Sequence, residues 1–65
     1  MLVHLKGTVI NDFKSGKGDH FYIVIVPTDI PHKMDVVNVR ANGQRFDYGE
    51  NIDVEVNANL RFVNL

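Results

Sequence analysis

His20-Phe21-Tyr22-Ile23-Val24-Ile25-Val26-Pro27 is the stretch on which the fold turns. Six apolar residues, mostly β-branched, run unbroken between a histidine and a proline. A segment this short and this β-branched reads as a strand, and its continuous apolarity predicts burial on both faces or contact through the second one. Pro27 closes it, because proline cannot donate to a ladder. Period-2 parity groups Phe21 with Ile23 and Ile25, which makes Phe21 the expected core residue. Tyr22 is then expected to point outward, either to stack on a base with its hydroxyl hydrated or to sit half buried at a subunit interface.

The same alternation extends in both directions. Upstream, Leu2 to Ile10 puts Val3, Leu5, Gly7 and Val9 on one face and His4, Lys6 and Thr8 on the other. Gly7 inside that strand predicts a bend, a bulge or a close backbone approach, such as a small barrel needs to close. Asn11 to Asp19 is polar and glycine-rich and reads as a flexible loop. Downstream, Thr28 to Lys33 is a connection with room for at most a helical turn. A third strand follows from Asp35 to Ala41, with Val37 and Val39 opposite in facing to Asn38 and Arg40. Asn42-Gly43 is a strong hairpin signal, since both residues tolerate positive φ. The fourth strand, Ile52 to Ala58, turns Ile52, Val54 and Val56 inward and Asp53, Glu55 and Asn57 to water. A tight Asn57-Ala58-Asn59 turn then feeds a last strand, Leu60 to Leu65. Five short strands without a helical period predict an all-β chain closed into a small five-stranded barrel, OB-like, with an SH3-like barrel as the alternative strand order.

Size limits what such a chain can do alone. Sixty-five residues make one domain, which buries only about 60% of its unfolded surface and is marginal on its own core. There is no cysteine, so neither disulfides nor thiolate zinc sites can supplement that core. Self-association is the remaining source of stability, and a homo-oligomer, a dimer first, is expected. No apolar run nears the roughly 18 residues that span a bilayer, and the N-terminus lacks a charged segment followed by a long apolar one. The chain is expected to be cytoplasmic, with no membrane partner. Its net charge is −1, but residues 1–46 carry six Lys/Arg against four Asp, and residues 47–65 one Arg against four carboxylates. That asymmetry permits a basic face.

Few residue groups suggest chemistry. Phe13-Lys14-Ser15-Gly16-Lys17-Gly18 places an aromatic and two lysines at a loop tip. The lysines would meet phosphates and Phe13 would stack on a base, unless the tip serves only solubility. The spacing is not that of a phosphate-binding P-loop. Arg40 and Lys6 lie on polar strand faces, where cations are usually only solvated; beside Tyr22 they would form a small basic patch, with Lys6 and Arg45 as outer phosphate contacts. Phe46 and Tyr48 share a face if extended, and either cap one barrel end or stack on bases. His4, His20 and His32 are too scattered for a metal site. Asp53 and Glu55 share a wet face with nothing apolar to raise a pKa, and no nucleophile has a base beside it. Neither an enzyme nor a cofactor is expected.

From Lys14 onward the chain resembles the single-stranded-DNA-binding proteins of filamentous phages, the gene V protein type. Ser15 to Tyr22 looks like that family's Gly-Lys loop followed by an aromatic opening the second strand. Val36 to Arg40, followed by Asn42-Gly43-Gln44, looks like its third strand and turn. Tyr48 to Val56, ending in Leu60-Arg61-Phe62-Val63, resembles its Tyr-x-x-Gly segment, fourth strand and closing run. The resemblance implies an OB-type barrel that dimerises and coats single-stranded DNA without sequence preference in phage-like replication. By position, it implies that Lys14 and Lys17 belong to a DNA-binding wing and that Tyr22 lies near the cleft, with Arg40 a further contact. Where the family carries a long loop between its last two strands, this chain has only Asn57-Ala58-Asn59. A protein-interaction or assembly barrel with no nucleic-acid role is the other reading, suited by the apolar second strand and the near-neutral charge.

Overall fold

The computed structural model describes residues 1–58 and 63–65. Five strands, β1 (Leu2–Lys14), β2 (His20–Pro27), β3 (Met34–Arg40), β4 (Asn51–Ala58) and β5 (Val63–Asn64), form a closed barrel in the order β1-β2-β3-β5-β4. Neighbours are antiparallel except β3 and β5, which run parallel. This is the all-β, five-stranded, OB-like barrel that the alternation predicts, with strands joined in Greek-key manner. Among the described residues no helix is long and apolar enough to cross a membrane.

Strand β1 closes the barrel by serving two partners. Leu2 to Thr8 pairs with β4, and Thr8 to Lys14 pairs with β2. Gly7 sits at that changeover. A Cβ there would lie 2.4 Å from the Ile25 carbonyl oxygen and 2.7 Å from Val24 Cγ1, so the close approach expected at this glycine is the point where β1 bends against β2. Two residues further, the register slips: Val9 faces Val24, but Asn11 faces Ile23. Ile10 is the extra residue of a bulge. Val9 also reaches the other way, donating to Glu50 O and accepting from Gly49 N–H at 2.9 and 2.6 Å.

The core is built from Leu5, Val9, Tyr22, Val24, Val39, Ala41, Ile52 and Val56. Its largest fully buried side chains are all valines, Val9, Val24, Val39 and Val56. Their short branched shape fits a narrow barrel interior, and each contributes about 1.5 kcal/mol or somewhat more by leaving water. In β4, Asp53, Glu55 and Asn57 are exposed and Ile52 and Val56 buried, as the alternation predicts.

Four expectations need correction. The polar stretch after Ile10 is not all loop: β1 continues through Lys14, and only Ser15 to Asp19 turns. That turn is tied by Gly18 N–H to Ser15 O at 2.9 Å and Ser15 N–H to Asp19 O at 2.8 Å. Tyr22 is not outward but 3% exposed and part of the core, on the Val24 side of β2. Phe21 is also buried but on the outer side, covered by neighbouring side chains. A run apolar on both faces carries no parity signal, and the tyrosine hydroxyl finds an internal partner. Asn42 and Gly43 do adopt positive φ (49° and 84°), and Gln44 N–H meets Ala41 O at 3.0 Å. The turn forms, but it joins no hairpin, because β3 pairs with β2 and β5 and the next segment crosses the barrel end. Asn57 and Ala58 lie in β4, opposite Asn64 and Val63; the remainder of the expected last turn and strand, residues 59–62, falls outside the described residues.

Candidate nucleic-acid interface

The bulge sets what the β1–β2 hairpin tip displays. Past Ile10, Asp12 stands opposite Tyr22, Phe13 opposite Phe21, and Lys14 opposite His20. Across the next ladder, Phe21 stands opposite Arg40 and Tyr22 opposite Val39. Phe13, Phe21 and Arg40 thus share the outer face, while Asp12 and Tyr22 share the inner one.

On the outer face the rings of Phe13 and Phe21 stack at 5.3 Å with planes 12° apart. The Arg40 guanidinium lies over Phe21, 5.6 Å from its centroid, in cation–π range. It also reaches Asp19, Nη2 to Oδ2 at 3.5 Å. Phe21 itself is 7% exposed, so Phe13, at 39%, is the ring available to a ligand. A shallow depression beside this stack is lined by Ser15, Gly16, Lys17, Asp19, Phe21 and Arg40.

On the inner side a cleft of about 660 Å³ opens between the hairpin tip and the segment after Gly43, with Lys14 and Arg45 at its sides and His20, Tyr22 and Phe46 in its lining. Phe46 closes the barrel end over Tyr22, edge to face at 5.3 Å, and its N–H donates to the Tyr22 hydroxyl at 3.0 Å. The His20 ring rests on Tyr22, 4.7 Å between centroids. Asp12 joins the parts. One of its oxygens meets His20 Nε2 at 2.7 Å, and the other accepts a hydrogen bond from the Tyr48 hydroxyl. The Tyr48 bond, then His20, holds the Asp12 carboxyl below the usual carboxylate range, since both favour the charged form. The same bond raises the Tyr48 phenol above its ordinary value.

Of the seven residues nominated from sequence, Phe13, Lys14, Lys17, Arg40 and Arg45 gather at this end of the barrel. Four cations there stand against Asp12, Asp19 and Asp47, with Glu50 bonded to the Asp47 backbone, so the charges at this end balance. Tyr22 lies beneath the cleft as part of its floor, with its ring face covered. Lys6 lies apart, on the β4-paired half of β1 opposite Asp53, in a depression shared with His4 and Pro27; His4 Nε2 meets the Asp53 carboxylate. Sequence reasoning divided Phe46 and Tyr48 between capping and stacking. The structure separates them: Phe46 caps, and Tyr48 is 62% exposed. The Asp12 link was not foreseen; it joins Tyr48 and His20, which only the folded chain brings to Asp12. Among the described residues no cluster of three or more His, Cys, Asp or Glu could hold a metal ion.

Compared with known proteins, the chain matches no family model, no curated protein and no solved structure.

Proposed function

We propose that this barrel binds single-stranded nucleic acid, DNA in the first instance, without sequence preference. The observation that carries the reading is the double-sided hairpin tip. One side offers the Phe13–Phe21 stack under Arg40 with Lys17 beside it, and the other offers Lys14 and Arg45 across an open cleft. Aromatic faces for bases beside cations for phosphates are what strand-tracking proteins combine. A ring face accepts any base, which supports binding without sequence preference. The phage-type resemblance supports the finer statement that such a chain coats DNA during replication.

The test is fluorescence-anisotropy titration of labelled oligo-dT at two salt concentrations, with duplex DNA as competitor. Four phosphate contacts predict a log–log salt slope of about −3, so affinity falls about 50-fold between 50 and 200 mM salt. Absence of binding at low salt, or equal competition by duplex, overturns the proposal.

A second reading, a self-assembling barrel, is favoured by one observation. The outer face of β2 and β3 sets Ile25 against Val36 and Pro27 against Met34, and Val36 and Met34 are exposed. The occupant would be a second copy of this chain, since a core this small gains most from a partner. Val36→Glu would then convert a sedimenting dimer to monomer. A monomeric parent chain at high concentration removes this reading.

A further inference from the structure

The exposed ring of Tyr48 is unusual in being held from below. Its hydroxyl is bound to Asp12, whose second oxygen is bound to His20. Tyr48 therefore joins three separated pieces of chain: β1, the start of β2, and the segment leading to β4. The backbone at Tyr48 is fixed as well, since Asp47 N–H donates to Glu50 Oε1 at 3.1 Å, Glu50 N–H to Asp47 O at 3.1 Å, and Gly49 closes the turn at φ 86°. An aromatic held at both its backbone and its polar tip keeps its ring faces free and its two side-chain torsions fixed. It adjoins the cleft that Lys14 and Arg45 flank: the depression at Tyr48 and that cleft share Asp12, Tyr22, Phe46 and Asp47.

We infer that Tyr48 is a nucleobase-stacking platform latched by Asp12, a second station on the inner side of the hairpin tip, with Phe13 the first on the outer side. This rests on the single-strand reading above and extends it. A strand would lay one base on Phe13 and another on Tyr48, with its phosphates passing Lys14 and Arg45. Asp12 does not touch the strand; it positions the ring.

The chain has no tryptophan, so Tyr48→Trp introduces a single indole whose emission can be excited selectively. Three variants, Tyr48→Trp, Tyr48→Ala and Tyr48→Phe, are titrated with oligo-dT at low salt, and anisotropy of the labelled oligonucleotide is followed in parallel. Thermal melts by circular dichroism confirm folding. Stacking predicts that oligo-dT saturably quenches the tryptophan emission of the Tyr48→Trp variant, and that an abasic oligonucleotide of equal length does not. It also predicts that Tyr48→Ala weakens binding about 10- to 100-fold. Tyr48→Phe keeps the ring and loses the latch, so binding should weaken only about 2- to 10-fold, the cost of ordering a loosened side chain. Oligo-dT binding by anisotropy without quenching, and with Tyr48→Ala unchanged, overturns the platform and leaves single-strand binding standing. No binding by the parent chain overturns both.

Discussion

Replacing Gly7 by alanine tests the geometry that closes the barrel. The added Cβ would stand 2.4 Å from a backbone oxygen of β2 and 2.7 Å from Val24 Cγ1. Ordinary carbon contacts begin about 1 Å further out. The Val24 methyl group can give way only into a core that is already filled, because Val24 is fully buried. The Ile25 carbonyl cannot turn aside either, since it belongs to the ladder in which Ile25 faces Thr8. Overpacking of this kind costs about 1–3 kcal/mol. The unfolded chain loses freedom when glycine becomes alanine, which offsets about 0.4–1 kcal/mol. The net loss of about 1–2 kcal/mol is large for 65 residues, whose total stability at typical per-residue values is about 3–10 kcal/mol. In a domain of this size it lowers Tm by roughly 5–15 °C. Gly16→Ala is the control: nothing lies within 4 Å of its Cβ, and the same unfolded-state effect should leave it neutral or slightly more stable. Urea and thermal melts followed by circular dichroism compare the two. A Gly7→Ala protein as stable as the parent would refute the close approach of β1 and β2.

Three further outcomes follow from the site. Tyr22→Phe removes the acceptor of the Phe46 N–H and should cost about 1 kcal/mol or more in a urea melt; oligo-dT affinity, corrected for the folded fraction, should stay within about twofold, because the ring face is covered. Lys14→Ala and Arg45→Ala should each make the salt slope for oligo-dT shallower by about 0.7, while Lys6→Ala, on the far half of β1, leaves the slope unchanged. Asp12 has its folded-state pKa depressed, so its contribution to stability is present above the unfolded value near 3.9 and is lost as pH falls through the folded value. The Tm difference between the parent and Asp12→Asn should therefore shrink as pH falls below about 4; a difference unchanged between about pH 4 and about pH 2.5 would dissociate Asp12 from the fold.

The alternating strands were legible because one face of each meets water. In β4 the sequence Ile52-Asp53-Val54-Glu55-Val56 states its own orientation, and in β3 Val39 and Arg40 do the same. Orientation fails at β2, where residues 21 to 26 are apolar throughout; only the ladder partner, Val39 for Tyr22 and Arg40 for Phe21, decides which way each ring points. The basic residues of the tip could be nominated from composition, and their convergence could not. Arg45 comes to line the same cleft as Lys14 because the chain turns at Asn42-Gly43 and crosses the barrel end, where Phe46 packs on Tyr22. The Asp12–Tyr48 contact spans 36 residues, beyond any local pattern. The end of β1 was misread for a related reason: Asn11 to Lys14 is polar because both its faces approach solvent at the tip, not because it leaves the sheet.

The unpaired Ile10 also bears on how this chain can change over generations. If either Ile10 or Asn11 were lost, the ladder would close up as Val9 against Val24 and the remaining residue against Ile23. Asp12 would still stand over Tyr22 and Phe13 over Phe21. A single-codon deletion at this place therefore shortens the first strand without exchanging interior for exterior. In a regular strand the same loss would reverse the facing of every residue on one side of it. The barrel thus carries a tolerated indel site one turn of the ladder away from its candidate ligand-binding end, and the display of that end can survive drift in strand length.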